Sequence, residues 1–485
     1  MAIALLNFWH RSTMAHHRRK ASSALLTVLA PAVLAAGCAP SDPVPSGRLV
    51  LSDITLIDGT GAPPRPGMAL VIRDGRIERV VLAADLSLER GDSVVDGAGL
   101  FAVPGLWDVH VHLSKTKAEA LPLLVAHGVT AVRDMGGDFE ELTALRAEVD
   151  AGERVGPRMF VAGPMLEAPA TLDRLRGSGT QEDWRVTRIP LPDSARARAV
   201  IDSLAALGVD FVKIREYAAD DIYRTVLEAA RSHGLEVAGH APFTMDAEVG
   251  AALGVASFEH ASYPYPLPED ASARPILDAF VRHGVAVVPT LVAWETHVMV
   301  PESLSVVVAD AEGARDRRVP LLSDFLREEW RLDVEELGPR AEGYYEGFRG
   351  YLERQSADLL AMHRAGVPVL PGSDLAGIGL FPGWSLHREI ELFVDWIGMT
   401  PMEAIESATR RSAELLGAAD SLGTLEEGKV ADVVLLEADP TIDIRNLRRI
   451  HSVVLRGEIL GPERIRRLLG GLHPTYEGSV GLLAG

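Results

Sequence analysis

The chain has 485 residues, of which 47% are hydrophobic and 24% are charged. This length allows more than one domain, and the composition is that of a globular protein. The formal net charge of −20 argues against nucleic-acid binding, which requires a basic surface.

The first 37 residues have the features of a bacterial export signal. A basic region between Arg11 and Lys20 precedes an apolar stretch at 21–36, which is too short for a permanent membrane span. The stretch ends in Leu-Ala-Ala-Gly-Cys, which resembles the lipobox of bacterial lipoproteins. The resemblance implies cleavage before Cys38, lipidation of this single cysteine, a tether at 38–47 and a membrane anchor on the periplasmic face of the outer membrane. The alternative is an ordinary secretory signal.

Two terminal segments, 48–103 and 422–470, have β character. The first contains apolar runs at 49–58 and 69–81, and the pair Asp74-Gly75 indicates a tight hairpin. We predict that both segments form one small, discontinuous β-sandwich-like domain.

Between these segments, a helical stretch that ends at a glycine and is followed by an apolar run recurs six times. Glycine is favoured just past a helix, and short apolar runs between helices are typical of buried parallel strands. With two further strands, near 104–111 and 159–162, the count is eight. We predict an α/β fold, a (β/α)8 TIM barrel at 104–421, with the repeats at 127–132, 207–212, 233–238, 253–258, 283–288 and 365–370.

Two long connections interrupt the barrel pattern. The segment at about 291–362 is predicted to be a helical insertion, and the loop 164–190 is expected to reach the rim of the barrel. Tyr344, Phe348 and Tyr351 have helical spacing in the insertion, which favours core packing, with a substrate lid as the alternative.

Six polar residues close predicted barrel strands. His110 and His112 point to the same face of one strand, since strand side chains alternate. Taken alone, this pair could simply end a strand, but active sites of barrels lie at the C-terminal ends of the strands. We therefore expect six polar residues to converge on one rim, where the two imidazoles of His110 and His112 could bind a metal ion: His110, His112, Lys213, His240, His260 and Asp374.

Residues 47–457 resemble the amidohydrolase superfamily, in its imidazolonepropionase-like and Xaa-Pro dipeptidase-like branch. The resemblance rests on the His-x-His strand, the lysine strand, Gly239-His240, Glu259-His260, Gly372-Ser373-Asp374 and the segment 422–432. It implies two divalent metal ions, commonly zinc, with manganese, cobalt or iron as alternatives.

The resemblance also implies a role for each ligand. His110, His112 and Asp374 would hold one ion, and His240 and His260 the other. Lys213, carboxylated on its amine, would bridge both together with a hydroxide, and Asp374 would take the proton from that hydroxide and pass it to the leaving amine.

Other polar residues near strand ends have two interpretations. Arg133, Arg215 and Tyr217 could hold a substrate carboxylate, or they could have a core or ion-pair role. His387 could reach the rim or begin a surface helix. A further set of histidines precedes helix-ending glycines, where the helix dipole favours a His: His127, His233 and His283.

The sequence thus predicts an exported metal-dependent hydrolase of a small amide, with dipeptidase or prolidase-like activity on substrates ending in proline or an apolar residue. A lactone, carbamate, cyclic amide or N-acyl amino acid would suit the same site. The alternative from another class is a lipoprotein that binds a ligand without turnover.

Overall fold

The computed structural model describes residues 47–175, 181, 183–216, 219–240, 246–260, 267, 273–297, 301–337 and 343–478. The predictions for the export signal, for Cys38 and most of its tether, and for Tyr217 therefore concern residues outside these ranges.

The two terminal segments form one β-sheet. Its strands are β1 (Leu49–Leu56), β2 (Arg65–Arg73), β3 (Arg76–Leu82), β4 (Ser93–Asp96), β5 (Phe101–Pro104), β15 (Val433–Leu436), β16 (Ile450–Leu455) and β17 (Glu458–Leu460). They are ordered β17-β16-β15-β5-β1-β2-β3, and β4 pairs with β1. β15 runs antiparallel to β5, so the C-terminal segment pairs with the N-terminal segment within this sheet.

The predicted hairpin joins β2 to β3. Asp74 and Gly75 both have positive φ angles, of 50° and 76°. Two consecutive left-handed residues give a turn whose twist matches that of the flanking antiparallel strands. Val433 and Leu435 of β15 pack with Leu51 and Ile54 of β1 into the apolar core of this sheet.

The middle of the chain supplies the strands of the barrel. They are β6 (Leu106–Val111), β7 (Val129–Asp134), β8 (Arg158–Val161), β9 (Met165–Glu167), β10 (Arg188–Pro190), β11 (Val212–Glu216), β12 (Val237–Gly239), β13 (Val255–Glu259) and β14 (Ala286–Val288). They form two parallel sheets, β6-β7-β8 and β10-β9-β11-β12-β13-β14. The predicted α/β fold class is confirmed.

The predicted eighth strand joins these two sheets but forms no continuous ladder. Val369 makes a parallel bridge to Val287 of β14, and Leu375 makes one to Val111 of β6. Pro368 and Pro371 lie in this segment and have no N–H group to donate, which explains the interrupted pairing.

The loop 164–190 differs from the prediction. It contributes β9 and β10, and β9 pairs in parallel with β11, the strand that carries Lys213. Each of these strands has three residues, so the alternation that identifies a strand from sequence is too short to detect.

Helices cover the strands. They are α1 (Leu113–Thr116), α2 (Ala120–Ala126), α3 (Phe139–Asp150), α4 (Pro169–Leu175), α5 (Trp184–Thr187), α6 (Ser194–Leu207), α7 (Asp220–Ser232), α8 (Ala247–Leu253), α9 (Ala273–His283), α10 (Leu291–His297), α11 (Pro301–Val308), α12 (Asp324–Leu337), α13 (Tyr344–Ala365), α14 (Trp384–Leu392), α15 (Pro401–Glu406), α16 (Ser412–Leu415) and α17 (Pro462–Leu468). Among the described residues, no helix combines the length and the apolar character that a bilayer span requires.

The aromatic residues of the insertion pack with one another. Phe348 of α13 is buried, and its ring centroid lies 5.9 Å from those of Tyr344 and Tyr351 and 5.8 Å from that of Trp294 in α10. Their contacts show that these aromatic residues pack within the insertion.

His127 and His387 pack together, so His387 lies neither at the rim nor on the surface. Nε2 of His387 donates a hydrogen bond to the carbonyl of His127 (2.9 Å), because α14 lies against the end of α2. Burial lowers the pKa of His127 to about 3, and burial together with the nearby His127 lowers the pKa of His387 well below its ordinary value.

We expect the free energy of unfolding to fall as the pH decreases below about 6.5. The unfolded chain protonates both histidines there, whereas the folded chain keeps them neutral, so each contributes a slope of up to about 1.4 kcal/mol per pH unit. His387→Asn should reduce this slope in urea unfolding between pH 7.5 and 5. His283→Asn, at an exposed helix end, is the control, and an unchanged slope in His387→Asn would contradict the prediction.

Candidate metal centre

His110 and His112 lie at the C-terminal end of β6 and converge on one carboxylate. Nε2 of His110 is 3.4 Å from Oδ1 of Asp374, and Nε2 of His112 is 3.5 Å from the same oxygen. Alternation along the strand places both imidazoles on one face, as predicted. Three potential ligands from opposite ends of the barrel sequence are therefore adjacent.

The loop that carries Asp374 is fixed by a second carboxylate. Asp108 accepts hydrogen bonds from the N–H (2.9 Å) and the Oγ (2.6 Å) of Ser373. A Cβ on Gly372 would lie 2.5 Å from Cβ of His110, so the close approach of loop and strand requires glycine. Burial raises the pKa of Asp108 to about 7.

His240 and His260 complete a continuous group of imidazoles. The ring centroid of His260 lies 4.8 Å from that of His240 and 4.9 Å from that of His110. Gly239 has a φ angle of 144°, and a Cβ there would lie 1.7 Å from the carbonyl oxygen of Ile214, so glycine is required for β12 to deliver His240.

Three of the histidines have Nδ1 anchored by the protein. Nδ1 of His110 bonds to Glu259 (2.7 Å), Nδ1 of His112 to the carbonyl of Gly136 (3.1 Å), and Nδ1 of His260 to the hydroxyl of Thr290 (2.9 Å). This leaves Nε2 of each ring for a ligand, and such anchoring is the usual arrangement around metal-bound histidine.

The remaining donor atoms also fit a metal site. Potential ligand atoms of His110, His260 and Asp374 all lie within 4.8 Å of one another. The side chain of Lys213 is 2% exposed, and its Nζ has no hydrogen-bond partner among the described residues. A buried ammonium without a partner is energetically costly, which favours a form of Lys213 that is not a free ammonium ion.

The charge states favour metal binding. Burial lowers the pKa of His110 to about 4 and that of His260 to about 3, so both rings are neutral near pH 7, which is the ligand form. Burial also lowers the pKa of Lys213 to about 8. Although burial alone would raise the pKa of Asp374, the hydrogen bond from His112 and the other histidines hold it well below its usual range.

A buried ion pair lies beneath the histidines. Glu259 bonds to Arg133 through both carboxylate oxygens (2.8 and 3.0 Å). The guanidinium also donates to the carbonyl of Val109 (2.6 Å) and to Oγ of Ser257 (2.9 Å). Burial would raise the pKa of Glu259, but Arg133 and His110 hold it far below its usual value, so it is an anion.

Sequence reasoning missed the role of Glu259. The signal was present as two charged residues, Arg133 and Glu259, inside otherwise apolar strands. The sequence of a strand does not show which other strand it faces across a barrel. The ion pair between Arg133 and Glu259 therefore could not be predicted from the sequence.

The three candidate substrate residues have different surroundings. Arg133 is 1% exposed and has the ion-pair role that was the alternative for it. Arg215 is 20% exposed and pairs with the buried Glu167 (3.2 Å), which Arg188 of β10 also contacts. Tyr217 lies outside the described residues.

The fold and the site together define a class, namely α/β barrel proteins with a group of side chains that could hold a metal ion at the C-terminal ends of the strands. Comparison with known families specifies this further. The profile of the Amidohydrolase family matches residues 101–460, so the chain belongs to that family and is an enzyme of the class that hydrolyses amide C–N bonds.

Several characterised proteins are similar over most of their length. Ochratoxinase of Aspergillus niger is 24% identical over 80% of this chain and 81% of its own, and imidazolonepropionase of Pseudomonas entomophila is 25% identical over 82% and 92%. The crystal structure of a Xaa-Pro dipeptidase with bound methionine in the active site has a TM-score of 0.63 at 21% identity, covering 86% of this chain and all of that one. That structure supports the fold alone.

Glu259→Gln should weaken metal binding about 10–100-fold, because the amide cannot neutralise Arg133 and holds Nδ1 of His110 less firmly. Metal content after dialysis against graded chelator concentrations measures the effect. Asp316→Asn is the matched control, since Asp316 is also fully buried and paired with an arginine, Arg318, away from the histidines. Equal losses in both variants would show that any buried ion pair has this effect.

Proposed function

We propose that this protein is a metal-dependent amidohydrolase that cleaves small amides, with dipeptides ending in proline or an apolar residue as the best substrates. The observation that carries the proposal is the cluster of histidines with anchored Nδ1 atoms, facing Asp374 beside a buried and unpaired Lys213.

The donors divide into two groups. His110, His112 and Asp374 would hold one divalent ion, and His240 and His260 the other, with Lys213 as a carbamate between them. A carbamate is an anionic oxygen ligand, which an ammonium is not, and the buried amine of Lys213 reaches that state through its neutral form. Bound ions would supply polarisation of the scissile carbonyl and a water of lowered pKa.

Asp374 is the proton carrier in this proposal. Its carboxylate accepts a proton from the attacking water and then donates it to the leaving nitrogen. Its oxygens lie within 3.4–4.0 Å of three imidazoles, and its low pKa keeps it in the ionised carboxylate form. The hydrogen bond from its N–H to the carbonyl of His110 (2.9 Å) fixes its position relative to the ligands.

Arg215 is the candidate for substrate orientation. It lies two residues after Lys213, on the same face of β11, and its side chain is partly exposed. One of its nitrogens donates a hydrogen bond to Glu167 (3.2 Å), and a guanidinium is the side chain best suited to pairing with a carboxylate. A dipeptide presents its terminal carboxylate within a few ångströms of the scissile bond, which suits this placement.

We also propose that the protein acts outside the cytoplasm. Support comes from the basic and apolar leader and from the lipobox-like sequence at Cys38. Lipidation there would keep the enzyme at the periplasmic face of the outer membrane, where it would meet small peptides.

The mature protein, expressed without residues 1–37, should contain about two metal ions per chain and should hydrolyse members of a Xaa-Pro and Xaa-apolar dipeptide library. Asp374→Asn should lower turnover by about 10³-fold, since both a ligand and the proton carrier change. Asp443→Asn, at an exposed helix start, is the control. Two metals without peptide turnover would direct the search to lactones, carbamates and N-acyl amides, and ligand capture unaffected by Asp374→Asn would favour a binding protein.

Arg215→Met should raise KM for dipeptides about 10–100-fold with a smaller effect on kcat, because the substrate loses a charged hydrogen bond made in the ground state as well as in the transition state. The same dipeptides with a C-terminal amide should show little change. Arg188→Met, which removes another partner of Glu167, controls for disturbance of that carboxylate. An equal loss for acids and amides would contradict the assignment.

A further inference from the structure

Thr290 holds the His260 ring from a strained backbone position. It has a φ angle of 49°, which is uncommon for any residue with a side chain and a clear outlier for a β-branched one. Its hydroxyl is the partner of Nδ1 of His260, and its carbonyl accepts from the N–H of Ala293 (3.0 Å) at the start of α10. Something must therefore stabilise this conformation.

Glu389 supplies that stabilisation from a different helix. It is fully buried in α14, and its Oε2 accepts the N–H of Val292 at 2.7 Å. Val292 is the second residue of α10, two positions after Thr290, and its N–H has no partner within the helix itself. Burial raises the pKa of Glu389 to about 8.

We infer that Glu389 is a positioning residue: it fixes the first turn of α10, thereby holds Thr290 in its left-handed conformation, and so orients Nε2 of His260 towards a metal ion. The inference rests on the proposed function, and it extends the metal centre to a side chain that contacts none of its ligands. It also links the loop after β14 to the helix that follows Asp374, since both segments must fit together for the contact to form.

The same helix offers a matched control. Glu391 lies one residue beyond Ile390, is also buried, and forms ion pairs with Arg448 (2.6 Å) and Arg388 (3.4 Å) rather than a contact with the backbone of α10. Replacing either glutamate with leucine removes a buried carboxyl group from α14. Only the change at position 389 removes the acceptor for the N–H of Val292.

The variants are Glu389→Leu, Glu389→Gln, Glu389→Asp, Glu391→Leu and Thr290→Val, with the double variant of Glu389→Leu and Thr290→Val. Glutamine keeps an acceptor at the required distance, whereas aspartate is one methylene too short. If Glu389 acts through Thr290, the two single losses should not add in the double variant.

The measurement is the binding of Mn²⁺ to the chelator-treated protein. Titration gives the affinity of each site, and electron paramagnetic resonance distinguishes the spectrum of a coupled Mn²⁺ pair from that of isolated ions. We expect Glu389→Leu and Thr290→Val to weaken one of two Mn²⁺ sites about 10–100-fold and to abolish the coupled signal. Glu389→Gln should bind as the wild type does, and Glu391→Leu should lose thermal stability without losing Mn²⁺ affinity. If Glu389→Leu does not fold, the contrast between Glu389→Gln and Glu389→Asp provides the same comparison.

Unchanged Mn²⁺ affinities in Glu389→Leu, or an equal loss in Glu391→Leu, would overturn the inference, as would a wild-type protein without a Mn²⁺ pair. Turnover is scored separately. A wild type that binds two Mn²⁺ ions but cleaves no amide would refute the proposed function and leave the role of Glu389 standing.

Discussion

The ion pair between Arg133 and Glu259 is the constraint on which the centre of the barrel depends. Both groups are withdrawn from water, and each is tolerable there only because the other is present. Removing one partner of such a pair typically costs about 3–5 kcal/mol, since an uncompensated charge remains. The pair also determines where His110 points, because Glu259 accepts the proton of its Nδ1. One buried interaction thus links the stability of the barrel to the orientation of a ligand.

The other ligands are held by different means, and most of these involve unusual backbone. His260, Thr290 and Asp374 all have positive φ angles at the ends of barrel strands. Strained positions persist only where their surroundings over-determine them, and they concentrate at functional sites. Here Thr290 is held by the turn that Glu389 caps, and Asp374 by the contact of its N–H with His110. The backbone strain arises because these residues turn their side chains towards the inside of the barrel at points where the chain leaves a strand.

The sequence predicted some contacts of this arrangement and not others, depending on whether a contact follows from a local pattern or joins distant parts of the chain. His110, His112 and Asp374 could be placed together because the fold rule for barrels brings the ends of all strands to one rim. Glu259, Thr290 and Glu389 could not, since each acts on a residue in another strand or helix and carries no local pattern. The strands within the loop 164–190 were missed for a related reason: each has three residues, so β9 is defined by its pairing with β11, and β10 by its pairing with β9, rather than by alternation in the sequence. His387 was misplaced because a histidine on a helix reads as polar, whereas its partner, the carbonyl of His127, lies 260 residues earlier in the chain.

The family and the fold do not by themselves fix a substrate. Proteins named ochratoxinase and imidazolonepropionase are similar to this chain, and a Xaa-Pro dipeptidase shares its fold, so one framework carries proteins with different names and activities. The elements that can select are those that reach the rim. Three such elements are β9 and β10, which bring Glu167 and Arg188 to Arg215, and α12, whose Trp330 donates to the carbonyl of Ala376 just after Asp374. β9 pairs with β11, the strand of Lys213, and α12 contacts the segment of Asp374. A change of substrate can therefore arise in these insertions while the anchored histidines stay as they are.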